Sequence, residues 1–187
     1  MIRLTGGFLR GRVIHTPSHN ATRPTQARLR QALFNSIQAH TESARVLDLF
    51  AGSGALGFEA LSRGAQDVVF VEKAKTTAAL IQKNANLLKV TDQIQVITGA
   101  VEKTLEKLSH LGPFDLVFAD PPYGDGWEIL LLNDYSWESL LSEKGLLCLE
   151  WGSQKSQVSE LPAVVRTLEK IREKQYGDSV LTTYAKG

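Results

Sequence analysis

Apolar residues recur along the chain in two alternating periods. Val46-Leu47-Asp48-Leu49-Phe50, Val68-Val69-Phe70-Val71, Ile94-Gln95-Val96-Ile97, Phe114 to Ala119 and Leu146 to Glu150 are short runs rich in apolar and β-branched residues. They predict five strands. Between them lie stretches of helical period: from the glycine-rich turn to about Arg63, Lys75 to Lys89 with Leu80, Ile81, Leu87 and Leu88 inward, onward from Thr98 to about His110, and roughly 127–141. Nearly unbroken apolar strands alternating with helices indicate a parallel sheet covered on both faces. The tail adds strands at about 163–170 and Ser179 to Tyr184, with a hairpin near Tyr176-Gly177-Asp178. That makes seven, the final pair closing the sheet in antiparallel fashion.

Upstream, the pattern changes. Residues 1–20 read as two short strands about Gly6-Gly7, the second being Phe8 to Ile14, which would put Arg10 and Arg12 on one face. Residues 16–24 read as a loop. Thr25 to about Ala39 predicts a helix with Thr25 as N-cap and Leu29, Leu33, Phe34 and Ile37 on its apolar face. The simplest organisation is one domain over 1–187, with a basic hairpin and loop at 1–24 and a core at 25–187.

Charge changes the picture more than composition does. With 187 residues, 43% hydrophobic and 22% charged, the chain is of ordinary globular make-up. A single cysteine, Cys148, excludes an internal disulfide, and with four histidines it excludes a Cys-rich zinc site. His15 and His19 have no partners at metal-ligand spacing and read as surface residues, so no metal is expected. No apolar run approaches the roughly 18 residues of a membrane span, and the start lacks a signal-peptide core, so a cytoplasmic protein is expected. The formal net charge is only +1, yet the first 40 residues carry Arg3, Arg10, Arg12, Arg23, Arg28 and Arg30 with no lysine and no acid. A segment at +6 is thus joined to a body at −5. Arginine without lysine suits phosphates and flat rings, so the asymmetry points to nucleic acid.

Two motifs carry chemistry. Gly52, Gly54 and Gly57 stand as G-x-G-x-x-G between a strand and a helix, and Glu72 closes the next strand 20 residues on. This is the fingerprint of a loop that lets a ligand press on backbone at a helix N-terminus, with an acid for the ribose hydroxyls. Taken alone it fits a nicotinamide enzyme. Asp48, four residues before the first glycine, would repel a pyrophosphate but suit a cofactor with an ammonium and a sulfonium, namely S-adenosylmethionine. Its other reading is a carboxylate that organises the turn. The second motif is Asp120-Pro121-Pro122-Tyr123 at the end of the strand 114–119. Prolines fix the backbone and leave carbonyl acceptors without N–H donors. With the Asp120 carboxylate they suit an –NH2 group, and Tyr123 can stack the flat ring that carries it. Trp127 and Trp137 follow this motif and read as packing residues.

Asp48-Leu49-Phe50-Ala51-Gly52-Ser53-Gly54 together with Asp120-Pro121-Pro122-Tyr123 resembles the class I S-adenosylmethionine-dependent amino-methyltransferases. Thr22-Arg23-Pro24-Thr25, Arg28, Arg30, Phe34-Asn35 and Tyr176-Gly177-Asp178 narrow the resemblance to the RsmD family, whose members methylate a guanine amine in bacterial 16S ribosomal RNA. The resemblance implies a Rossmann-like, seven-stranded sheet with a reversed last strand. It implies S-adenosylmethionine held by Asp48, Phe50, Ala51, Gly52, Ser53, Gly54, Glu72, Lys73, Ala100 and Val101. The guanine would lie at Asp120, Pro121, Pro122 and Tyr123, and RNA would meet Arg10, Arg12, Arg23, Thr25, Arg28 and Arg30. The expected partner is 16S RNA within a small-subunit particle, and the expected state is a monomer. Two positions depart from the family. Its usual Arg-Glu on the first helix is Arg30-Gln31, and its Gly-Asp-Ala after the third parallel strand is Gly99-Ala100, with Glu102 as the nearest acid. A DNA adenine or protein glutamine amino-methyltransferase, and a non-catalytic RNA-binding or ribosome-assembly factor, remain the alternatives.

Overall fold

Side chains alternate across the central strands, and each strand therefore feeds two cores. The computed structural model describes residues 1–17, 24–156 and 158–187, without the side chains of 24, 25, 106 and 107. A short hairpin, β1 (Ile2–Arg3) and β2 (Val13–Ile14), precedes helix α1 (Pro24–Ser36). Then come β3 (Arg45–Leu49), α2 (Ala55–Ser62), β4 (Asp67–Glu72), α3 (Lys75–Leu88), β5 (Ile94–Thr98), α4 (Val101–Thr104), β6 (Phe114–Ala119), α5 (Trp127–Asn133) and β7 (Leu141–Gly152). The chain closes with β8 (Val164–Val165), β9 (Leu168–Tyr176) and β10 (Ser179–Lys186). The main sheet has the order β5-β4-β3-β6-β7-β10-β9-β8. The first five of these strands are parallel and β10 runs against β7. Val46, Phe70, Phe118 and Cys148 meet α1, α2 and α3 on one face. Leu47, Val71, Val117 and Leu149 meet the segment after β5 and α5 on the other.

The Rossmann-like expectation holds, with an eighth strand because the two-residue β8 pairs with β9. Other boundaries moved. β7 begins five residues earlier than its apolar run, since Leu141 pairs with Phe114. The strand expected near 163–170 is broken and resumes as β9, which reaches Tyr176. The helix expected over 127–141 stops at Asn133, although Trp137 and Leu140 are still drawn into the core. On α3, Ile81 and Leu88 point inward as expected, but Leu87 is 44% exposed, and the polar Asn84 is buried beside Ile81 and Leu88. Helix α1 starts at Pro24 and not after a Thr25 cap. Proline suits a first helical turn because its missing N–H would have no partner there. Leu29, Leu33, Phe34 and Ile37 are buried as the period requires.

The N-terminal segment is packed on the body and is not a free arm. Leu4, Leu9 and Ile14 belong to the same core as α1 and α2. Only Val13–Ile14 of the expected strand Phe8 to Ile14 is extended, because the chain turns over Gly7 to Gly11 to insert Leu9. Arg10 and Arg12 therefore do not share a strand face. The Phe8 N–H donates to the Ser62 carbonyl at 2.7 Å and the Leu9 N–H to Ser62 Oγ at 2.9 Å. Gly7 has φ +72, and a Cβ there would lie 1.5 Å from the Ser62 oxygen, so this approach of two backbones admits glycine alone.

Candidate active site

Chain order reverses at β3. It runs outward to β4 and β5, then returns to β6 on the other side, which opens a crevice beyond the carboxyl ends of β3 and β6. Both sequence motifs end in this crevice. The loop after β3 is shaped by left-handed residues at Phe50 (φ 56), Gly52 (φ 54) and Gly54 (φ 80). Its three glycines have separate physical reasons. A Cβ on Gly57 would lie 2.3 Å from the Phe70 ring, and one on Gly54 would lie 2.7 Å from the Phe58 ring. Those two let α2 close onto β4. At Gly52 a Cβ would meet nothing nearer than 3.9 Å, so the space beside it is open.

Two carboxylates fasten this loop. Buried Asp48 accepts the Gly57 N–H at 2.9 Å, and Glu72 accepts the N–H groups of Gly52 at 2.9 Å and Ala74 at 2.8 Å. Asp48 thus organises the turn, and it does so with its charge facing other acids. Burial pushes its pKa up to about 8, the Gly57 hydrogen bond opposes this, and the nearby Glu72 adds to the rise. Between pH 4 and 8 the native state then binds a proton that the unfolded chain releases. Stability from this source is full below about pH 4 and is lost as pH rises toward 8. Ligand-free protein is expected to melt at falling temperature across that window. Asp48→Asn, which keeps an oxygen for Gly57, should flatten the slope; parallel melting curves for the two proteins would refute this account.

Asp120 follows the last residue of β6. Burial raises its pKa well above the carboxylate range, and the charges of Glu150 and Asp48 raise it further. Pro121 is buried and Pro122 exposed. The Tyr123 hydroxyl donates to Glu150 Oε1 at 2.6 Å and lies 2.9 Å from Ser179 Oγ. Phe50 and Trp127 meet edge to face with ring centroids 4.8 Å apart, which ties the glycine loop to the segment after Tyr123. Ala51 and Ser53 are buried in the loop, while Lys73 is exposed just beyond β4. Ala100 and Val101 lie at the start of α4, where the Gly99 N–H reaches the Glu72 carbonyl at 3.0 Å.

Residues 2–185 match the family described as Conserved hypothetical protein 95. The chain is 35% identical over 187 residues to the ribosomal RNA small subunit methyltransferase D of Escherichia coli K12, spanning 98% of this chain and 89% of that protein. The solved yhhF structure from Escherichia coli superposes with a TM-score of 0.79 at 33% identity, over 99% of this chain and 97% of that one. The chain belongs to the RsmD family. An O-methyltransferase from Bacillus cereus, solved with SAH, shares the fold at 17% identity with a TM-score of 0.66, over 91% of this chain and 84% of that one.

Within this RsmD-family chain the basic residues are dispersed. Arg10 and Arg28 are exposed. Arg12 is exposed but donates to the Leu87 carbonyl on α3 at 2.9 Å. Arg23 and His19 lie outside the described residues, as does the Thr25 side chain. Arg30 corrects the sequence reading. It is 5% exposed, bonded to the Arg3 carbonyl at 2.9 Å and paired with the buried Glu59 at 3.4 Å, so its guanidinium is not offered to a phosphate. Glu59, on α2, is the acid that Arg30 meets, while Gln31, which stands where the family has glutamate, is exposed. Glu102 is likewise exposed. Two site residues escaped the motif reading. Glu150 is 8% exposed at the Tyr123 hydroxyl, and an acid ending an apolar strand was its only signal. Asn84 bridges the His15 backbone and the Ser53 carbonyl, joining hairpin to glycine loop; its place three and four residues from Leu80, Ile81, Leu87 and Leu88 was the signal that put a polar side chain on the inward face.

Proposed function

We propose that this chain is an S-adenosylmethionine-dependent methyltransferase that modifies the exocyclic amine of a guanine in 16S ribosomal RNA, the whole of 1–187 acting as one catalytic unit. The observation that carries this reading is the convergence of Asp48 and Asp120 at the carboxyl ends of adjacent strands β3 and β6, close enough to repel one another. Such a site suits a cationic cofactor beside an amine. A pyrophosphate, as in a dinucleotide, would add charge of the same sign to an acidic crevice. The donor set fits the cofactor: Gly52 leaves open space, and each Glu72 oxygen keeps a lone pair for a ribose hydroxyl after its N–H bond. Phe50, Ala51, Ser53, Gly54, Lys73, Ala100 and Val101 would complete the pocket. When bound, the group supplies an activated sulfonium methyl.

The chain's own residues do the rest. The guanine must leave its stack to enter the crevice. Asp120 and a proline carbonyl accept the two N–H bonds of its amine, which is a weak nucleophile because its lone pair is spread into the ring. As attack proceeds, positive charge grows on that nitrogen, and the fixed Asp120 carboxylate stabilises it more in the transition state than before. In-line alignment lowers the barrier further. Of the arginines expected at the RNA, the described Arg10, Arg12 and Arg28 stay exposed to meet phosphates, with Arg23 and Thr25 near them in sequence.

The reading is tested by transfer of labelled methyl from S-adenosylmethionine to small-subunit particles or their RNA, with the product nucleotide mapped as N2-methylguanine. Label in DNA adenine or protein glutamine would move the substrate to another class; no transfer to any would leave an RNA-binding factor. Arg10→Ala is expected to weaken RNA binding and to reduce the salt slope by about one. An unchanged slope in a salt titration would remove Arg10 from the interface.

A further inference from the structure

The tail turn Tyr176-Gly177-Asp178 joins β9 to β10 and has no part in the chemistry above. Its contacts lead to the active site. The Asp178 carbonyl accepts the Ser153 N–H at 3.0 Å, and its carboxylate accepts Gln154 Nε2 at 2.7 Å. These bonds fasten the turn that leaves β7. In the β7–β10 register, Ser179 stands opposite Gly152 and Leu181 opposite Glu150. The Tyr123 ring lies on this edge. A Cβ on Gly152 would come within 2.5 Å of it, so the strand offers bare backbone as the ring's seat. Its hydroxyl donates to Glu150 at 2.6 Å and touches Ser179 Oγ at 2.9 Å. The one aromatic side chain of the Asp-Pro-Pro-Tyr segment is thus held by its tip from two strands of the C-terminal half.

We infer that Glu150, assisted by Ser179, is a positioning residue for methyl transfer, which holds the Tyr123 ring as a fixed wall for the target base and so makes the C-terminal hairpin part of the catalytic apparatus. This rests on the function proposed above. A tyrosine with a loose hydroxyl turns about two side-chain bonds, and a base stacked on it would wander with it. Displacement of a reacting group by about 1 Å can cost about a hundredfold in rate. A hydroxyl bonded to a carboxylate removes that freedom more firmly than a neutral bond would. The negative end of the clamp also lies close enough to Asp120 to act on its charge.

The test uses the full-length protein and single-turnover methyl transfer to small-subunit RNA, with S-adenosylhomocysteine affinity measured by calorimetry. Glu150→Ala and Tyr123→Phe should each lower the rate at saturating RNA about tenfold, the loss of one charge-assisted hydrogen bond. Cofactor affinity should move less than about twofold, since the bond removed joins Tyr123 to β7 and the glycine loop is fastened separately by Asp48 and Glu72. The double variant should be no slower than either single one, because both remove the same bond. Glu150→Gln keeps an oxygen for the tyrosine proton and should recover most of the lost rate. It should also move the acid limb of the pH–rate profile downward, because a negative neighbour of Asp120 is gone. If Glu150→Ala is unstable, Tyr123→Phe carries the same expectation with little change of packing, and Ser179→Ala, which removes only the neutral contact, should cost less than either. Additive losses in the double variant, or full activity in Glu150→Ala, overturn the positioning role. Asp120→Ala separates this from the parent reading: if it stays active, the base pocket itself is misplaced; if it is dead while Glu150→Ala is intact, only the clamp falls.

Discussion

Asp120→Ala is expected to reduce methyl transfer by about 10²–10³-fold while leaving cofactor binding within a few-fold of the parent protein. In the proposed mechanism Asp120 meets the amine, whereas the N–H groups of Gly52 and Gly57 are held by Glu72 and Asp48. Asp120→Asn should fare little better. It keeps one acceptor oxygen but replaces the other with a donor aimed at a donor, and it carries no charge to meet the cation forming on nitrogen. The pH dependence follows from the same groups. Burial, then Glu150 and Asp48, hold the Asp120 pKa well above the usual carboxylate range. Activity needs the ionised form, so the rate should rise with pH through a limb displaced upward from that range. Single-turnover rates against pH measure this directly. A wild-type rate in Asp120→Ala would end the amine-acceptor mechanism, and a limb in the ordinary carboxylate range would show that the neighbouring acids do not act on it.

Those acids illustrate what a sequence reading reaches. Asp48, Glu72 and Asp120 end apolar strands, and a parallel sheet must bring the ends of its strands to one edge. Their convergence is therefore legible from period and topology. Glu150 obeys the same rule at the end of a fifth run, yet no motif surrounds it. Its significance depends on where the Tyr123 side chain falls, which is a matter of tertiary packing. Strand lengths failed where pairing overrides composition, as at Leu141, whose partner Phe114 extends β7 through polar Ser142, Glu143 and Lys144. Leu87 failed because the buried stripe of α3, made of Ala78, Ile81, Asn84, Ala85 and Leu88, lies to one side of the expected one and leaves Leu87 at its margin. Charge was the least legible signal. Six arginines near the N-terminus look alike in a list of residues, and among the described ones burial sets Arg30 apart.

Arg30 and Glu59 supply the sharpest case, and loss of either is expected to strike stability and not RNA binding. Glu59 has a fully buried side chain that receives Arg30 at 3.4 Å, Arg63 at 2.8 Å, the Thr5 N–H at 2.9 Å and the Thr5 hydroxyl at 2.7 Å. Burial alone would raise its pKa. The Thr5 bonds, the Arg63 bond and the Arg30 charge outweigh that and hold it below the usual value. Its contribution is thus present above the ordinary glutamate range and lost as pH falls through the lowered pKa. Glu59→Ala would strand two guanidinium groups and the Thr5 donors where the hairpin, α1 and α2 meet. Breaking a buried pair from one side costs about 3–5 kcal/mol, or a melting temperature lower by about 6–20 °C in a chain of this size. Arg30→Ala should fall in the same direction, with the Arg3 carbonyl also losing its donor. Arg10→Ala, at the surface, should change stability by no more than about 0.5 kcal/mol. RNA titrations of folded protein complete the comparison. Arg30→Ala should keep the parent salt slope where Arg10→Ala loses part of it. If Arg30→Ala instead melted like the parent protein and bound RNA with a reduced slope, its guanidinium would have to reach solvent, and the docking of the hairpin onto Glu59 described above would be wrong.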